Sequence, residues 1–266
     1  MLNLLRNSIN AIKKVSGLDS DASAFITAAG LTDATQKDAI NTLVKDMKAS
    51  GLWSKMKAVY PMVGGTATSM KFNLKDPRDL DAAFRLTWSG GWTYSATGAT
   101  PNGTNAYADT KFAPNLLGLD SAHLSLYSRT NSNGTITDMG STNSASSGDD
   151  FQLISRFSNI NYSILNSKSP SGFAQTTSLG FALVSRVLST GFGYFLNNAK
   201  TSITKASDTR NIFNIYIGAR NRANIAEYFS DRQTAFASIG DGLTDAEAAI
   251  LYQLVQDYQT TLSRQV

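Results

Sequence analysis

The carboxylates come first, because paired carboxylates carry most hydrolysis of sugar polymers. The chain has two glutamates, Glu227 and Glu247. Glu227 falls in the polar run Ala226–Glu227–Tyr228–Phe229–Ser230, while Glu247 follows Thr244 by three positions, the spacing of a capping box at a helix start. A Glu-x-Asp-x-x-Glu arrangement on one strand, as a glucanase would use, is missing. Asp76, Asp79 and Asp81 are the densest acids and could offer oxygen ligands to calcium, but the EF-hand glycine and closing glutamate are absent. Arg78 supplies an internal partner, so a turn held by Asx bonds and Asp–Arg pairing is the expectation, with calcium as the alternative. His123 is the single histidine, and without a Gly-x-Ser-x-Gly elbow it reads as a strand-end residue with a local hydrogen bond rather than as the base of a triad. The glycines from Gly98 to Gly103 and from Gly191 to Gly193 lack phosphate-loop and dinucleotide spacing and read as turns. We therefore expect no enzyme, no cofactor and no defined metal site.

Binding is better supplied than catalysis. Trp88, Trp92 and Tyr94 alternate around Gly90–Gly91, and such rings stack on sugar faces or fill a sandwich core. Core packing is the reading for Trp88. Trp92 and Tyr94 follow the glycine pair, where strand alternation can break, and are candidate glycan contacts. Asn131, Asn133, Asp149 and Asp150 join them from a stretch rich in Ser, Asn, Gly and Thr that reads as mobile rim loops.

The elements that must position these residues divide at Gly64–Gly65. Residues 1–64 read as a helical anchoring or assembly region, and residues 65–266 as a β-sandwich closed by a C-terminal helix. Leu2, Leu5, Ile9 and Ile12 recur at spacings of three and four, a stripe too short to stand alone, which reads as a helix docked on its own domain, as an arm for contacts with other subunits in a homo-oligomer or particle, or as a membrane-surface helix. Helices are expected from Asp21 to Ala29 with Ser20 as cap, and from a Thr32 cap to Gly51, followed by a helical turn or two over Leu52 to Tyr60. Strands are expected at Lys71–Leu74, Phe84–Trp88, Asn105–Asp109, His123–Ser128, Thr135–Met139, Phe151–Phe157, Asn161–Leu165, Gly180–Val187, Phe192–Lys200, Ile212–Gly218 and Ala235–Gly240. Their alternation predicts sheets with one buried and one wet face. A helix from Thr244 to Leu262 closes the chain.

Composition bounds the partners. A net charge of +4 from 24 basic and 20 acidic residues, scattered along the chain, does not point to nucleic acid. No run reaches the ~18 apolar residues of a membrane span. Zero cysteines exclude a disulfide-stapled module, and the opening Met1–Leu2–Asn3–Leu4–Leu5–Arg6 shows no secretory signal.

Two resemblances add to this. Tyr194–Phe195–Leu196–Asn197–Asn198, Tyr216–Ile217–Gly218 and Leu243–Thr244–Asp245–Ala246–Glu247, in that order, resemble the laminin G-like, concanavalin A-like jelly-roll family. That likeness implies an antiparallel jelly-roll β-sandwich. The segments GLWSKMKAVYPMVGG, FNLKDPRDLDAAFRLTWSGGW, ATGATPNGTNAYADT and FASIGDGLTDAEAAILYQLVQDYQTTLSRQV look like those of bacteriophage virion structural proteins, especially of Bacteroidetes hosts. This second likeness implies a non-catalytic particle component such as a fibre, spike, baseplate or decoration protein. Such a component is assembled in the host cytoplasm, contacts other virion proteins through its N-terminal helices and shows a lectin-like sandwich to host glycans. The alternative is a carbohydrate-binding module of a bacterial surface or secreted protein.

Overall fold

A computed structural model of the chain describes residues 17–144 and 149–266. The stripe of Leu2, Leu5, Ile9 and Ile12 lies outside the described residues. In chain order the first elements are α1 (Ser20–Ala28), α2 (Ala34–Ala49), α3 (Leu52–Lys55), β1 (Met56–Tyr60), α4 (Ala67–Met70), β2 (Thr87–Ser89), β3 (Trp92–Ser95), β4 (Gly98–Pro101) and β5 (Tyr107–Asp109). Then come β6 (Ala122–Ser128), β7 (Met139–Thr142), β8 (Asp150–Leu153), β9 (Ile160–Asn161), β10 (Ile164–Ser167), β11 (Phe173–Ala174), β12 (Gly180–Leu188), β13 (Gly191–Leu196) and β14 (Ala199–Thr204). The last are β15 (Tyr216–Ile217), β16 (Arg220–Arg222), β17 (Ile225–Glu227), β18 (Thr234–Gly240) and α5 (Asp245–Thr261).

The architecture is mainly β. The first sheet runs β14-β13-β12-β6-β18-β4-β3, with β1 paired to β18; the second runs β10-β8-β7-β15-β5-β2, with the β16–β17 hairpin attached to β7. Pairings are antiparallel except β16 with β7, which is parallel. Between the sheets lies one apolar core, drawn from Leu124, Leu126, Val184, Tyr194 and Ile239 on one side and Met139, Phe151, Leu153, Leu165 and Ile217 on the other.

The first sheet has no wet face over its centre. Phe181, Leu183, Tyr127, Phe195 and Phe236 point away from the second sheet into another core, built with Phe25, Ile40, Leu43, Val44, Met47, Leu251, Val255 and Tyr258 of the helices. The alternation in β12 thus separates two buried environments rather than core from water: Phe181 and Leu183 face the helices, Ala182 and Val184 face the second sheet. The expectation of a half-wet sheet is corrected here because α1, α2 and α5 form a third layer over it.

Residues on either side of Gly64–Gly65 share these cores. The run over Met56 to Tyr60, expected as helical, is a strand bonded to β18, with Met56 and Val59 entering the helical core and Ala58 and Tyr60 the inter-sheet core. Two expected strands shrink because an Asn side chain claims the backbone. Asn73 Oδ1 accepts from Val59 N and Lys75 N, hooking Lys71–Leu74 into a turn. Asn211 Oδ1 accepts from Phe213 N, and of Ile212–Gly218 only Tyr216–Ile217 joins the ladder. At the helix starts Asp19 and Asp33 cap α1 and α2 in place of Ser20 and Thr32, each carboxylate taking a backbone N–H. Thr244 and Glu247 close the expected capping box on α5. Asn197 and Asn198, at φ 48 and 68, make the tight primed turn between β13 and β14.

Candidate functional site

The site grows from β8. Strand alternation sends Phe151 and Leu153 into the inter-sheet core, which turns Asp150 and Gln152 to the outer face of the second sheet. There they line a cavity of about 260 Å³ with Thr137, Ile154, Phe157, Tyr162, Arg220 and Tyr228 among its walls. Gly140 of β7 makes room for Gln152. At φ +155 it adopts backbone that L side chains avoid, and a Cβ there would lie 2.5 Å from Phe151 O and 2.8 Å from Gln152 Cγ.

Polar groups converge inside. Gln152 Nε2 donates to Asp150 Oδ1 at 2.8 Å, while Gln152 Oε1 and Thr137 Oγ1 are buried with no hydrogen-bond partner. Burial pushes the Asp150 carboxyl above its ordinary range, with a Thr142 hydrogen bond, the Arg220 charge and Gln152 opposing. Rings form the other wall. Phe157 meets Tyr162 and Tyr228 edge-on, each at 5.7 Å between centroids, and Tyr228 is 37% exposed. Arg220 Cζ stands 4.4 Å from the Tyr228 ring centroid. Its Nε and Nη2 both donate to Glu227 Oε1, and Arg222 Nε donates to Glu227 Oε2.

A buried ion pair holds this wall in place. Arg232 Nη1 donates to Asp138 Oδ1 at 2.7 Å, with both side chains 1% exposed. Asp138 Oδ2 accepts from Ser155 N and Ser155 Oγ, each at 2.6 Å, and Arg232 Nη2 donates to the carbonyls of Ser132 and Arg156. These bonds fix the neighbours of Thr137 and Phe157.

Of the residues singled out in the sequence, Asp150 lines the cavity. Asp149 lies beside it, bonded to Asn143 Nδ2 and 3.7 Å from Lys168 Nζ. Asn131 and Asn133 are exposed and brace the loop that carries Phe157: Asn131 Oδ1 accepts from Arg156 Nη1 and Ser178 N, and Asn133 Oδ1 accepts from Asn159 N. Trp92 and Tyr94 are placed elsewhere. They meet Trp88 edge-on at 4.9 and 5.1 Å against the inter-sheet core, and Trp92 Nε1 donates to the carbonyls of Ser89 and Tyr107. Burial pushes the Tyr94 hydroxyl up to about 12. Gln152, Phe157, Tyr162 and Tyr228 were not read as site residues from the sequence, although the alternating polar pair Asp150 and Gln152 flanking Phe151 was a visible signal.

The remaining chemistry-bearing residues are held in local bonds. Arg78 grips Asp76 with two nitrogens, Lys71 and Arg85 both bond Asp79, and Arg85 bonds Asp81. Among the described residues no group of three or more acidic or histidine side chains is placed to hold a metal ion. His123 is fully buried, with Nδ1 2.7 Å from Asp241 O and Nε2 3.0 Å from Ser238 Oγ, and burial pushes its pKa down to about 4. Among the described residues no helix is long and apolar enough to cross a membrane.

No known protein family matches the chain, and no curated protein does. Among solved structures, a mutant Trypanosoma rangeli sialidase displaying trans-sialidase activity is similar over 84% of this chain and 39% of its own, at 10% identity and a TM-score of 0.51. At that identity the likeness is one of fold. Lower TM-scores relate the chain to domain 4 of AbnA, a GH43 extracellular arabinanase from Geobacillus stearothermophilus bound to arabinotriose (0.49, 16% identity, 75% of this chain and 98% of that one). The botulinum neurotoxin serotype D binding domain follows (0.44, 8% identity, 75% and 52%).

Proposed function

We propose that the protein is a carbohydrate-binding module and that the cavity beside β8 is its sugar site. The observation that carries this is a cavity with three aromatic side chains in its wall and two buried, unpartnered oxygens, Gln152 Oε1 and Thr137 Oγ1, beside a desolvated carboxylate. Sugars present apolar ring faces to aromatics and hydroxyls to such acceptors. Asp150 is the one carboxylate among the described residues lining the cavity, so the paired-carboxylate arrangement of most glycoside hydrolases is not laid out there and the reading we propose is of binding. The neighbour with trans-sialidase activity is a protein that handles glycans, which agrees with this reading without carrying it. A jelly roll of the concanavalin A-like type is part of the same proposal, supported by the two facing, almost wholly antiparallel sheets.

The resemblance of four segments to virion proteins supports a second, compatible reading: a module of this kind displayed on a phage particle, as a homo-oligomer, for attachment to the host. Weak single sites gain from such repetition. The test is a glycan array probed with a multimerised form. Binding should occur and should fall when Gln152→Leu or Tyr162→Ala is introduced, with Trp92→Ala as the comparison outside the cavity. An array on which no glycan binds refutes the carbohydrate reading.

A further inference from the structure

Resting on the carbohydrate reading above, we infer that the cavity takes an uncharged, hydroxyl-rich sugar and turns away sugars that carry a carboxylate. The polar atoms left free inside fix this preference. Gln152 Oε1 is an acceptor only and is buried without a partner. Asp150, 7% exposed, takes hydrogen bonds from Gln152 Nε2 and Thr142 and offers acceptor capacity alone while ionised. Thr137 Oγ1 can accept or donate. A sugar hydroxyl donates as well as accepts and matches all three. A carboxylate has no proton to give, so it would set acceptor against acceptor on Gln152 and negative charge against negative charge on Asp150.

The cations do not reverse the sign. Arg220 is the basic residue in the wall, and its Nε and Nη2 are both spent on Glu227 while the Tyr228 ring covers its plane. Arg222 shares the same Glu227, and Lys168 is held by Asp208 at 3.0 Å and faces Asp149 at 3.7 Å. Two arginines around one glutamate with Asp150 nearby leave a site without net positive charge. The Nε–Nη2 side of Arg220, a fork of the bidentate kind that recognises carboxylates, is thus already held by Glu227.

Matched pairs of ligands test this on the unaltered protein: lactose against sialyllactose, and galactan against polygalacturonate, titrated by NMR or calorimetry at pH 7 and 150 mM salt. The neutral member of a pair should bind about tenfold or more tightly than its acidic partner, the least that an unscreened like charge within the cavity would cause. Asp150→Asn, which keeps the shape and removes the charge, should narrow that ratio toward parity. Gln152→Leu should weaken the neutral member. If the acidic member binds as tightly or more tightly, and Gln152→Leu abolishes that binding, the preference is overturned while the carbohydrate reading stands. If no member of any pair binds, both are overturned. Should Asp150→Asn fail to fold, the ratio measured on the unaltered protein decides alone.

Discussion

Replacing Asp138 with asparagine removes one charge from a pair that water does not reach. The carboxylate accepts three bonds at 2.6–2.7 Å, from Arg232 Nη1, Ser155 N and Ser155 Oγ. Asparagine must turn its NH2 toward one of these donors, and the Arg232 guanidinium stays buried and charged because arginine does not release its proton in proteins. Breaking a buried pair from one side costs about 3–5 kcal/mol, which for a domain of this size lowers Tm by roughly 6–20 °C. Arg232→Met should cost less, since the stranded carboxylate keeps both Ser155 bonds. Asp138→Leu with Arg232→Met should recover at least about 2 kcal/mol relative to the sum of its singles. Thermal and urea unfolding of the variants, with the cycle closed at pH 7, measure this. Asp138→Asn costing under about 1 kcal/mol, or singles that simply add within about 0.5 kcal/mol, would refute the view that this pair pins the cavity wall.

Three further outcomes follow from the same structure. His123 titrates at about 4 when folded and near 6.5 when unfolded, so the unfolded chain binds the extra proton and stability falls as pH drops through that window, by about 3 kcal/mol from this residue; urea midpoints from pH 7 to 4 should show a shallower decline in His123→Gln, and parallel curves would count against it. Gly140→Ala should destabilise the fold and displace Gln152, so glycan binding drops more than it does for Trp92→Ala; equal affinities would show that the Gly140 clearance is irrelevant to the site. Arg264→Met should cost about 3 kcal/mol or more, because the carbonyls of Pro61, Met62 and Ala235 and the Gln259 amide oxygen lose a buried donor together; a loss under 1 kcal/mol in thermal unfolding would contradict that.

Local rules made α5 and its capping box legible, together with the β13–β14 turn and most strand positions after residue 120, because each depends on residues close in sequence. The strand at Met56–Tyr60 was not legible: five apolar or amphipathic residues after a helical turn carry no period that distinguishes strand from helix, and its pairing partner is far away in sequence. Equally hidden was the double burial of β12, since alternation between two apolar faces looks the same as alternation between core and water when small residues occupy one of them. The cavity drew its walls from Thr137, Gln152, Phe157, Tyr162, Arg220 and Tyr228, which only sheet pairing brings together. Asp150 was named from the polar stretch, but its neighbour Gln152 passed as ordinary strand.

The joining of β1 to β18 and of α2 to α5 also bears on how the chain acquires its shape. The ladder partner of β1 and the main helical partner of α2 lie in residues 234–261, so nearly two hundred positions must be synthesised before that layer can close. Until then the part of the α2 stripe (Ile40, Leu43, Val44 and Met47) that α1 leaves uncovered faces solvent or a transient cover. A nascent chain halted before β18 would therefore display that stripe to chaperones, and the slow step of folding should be this long-range closure rather than formation of the local β12–β13–β14 meander.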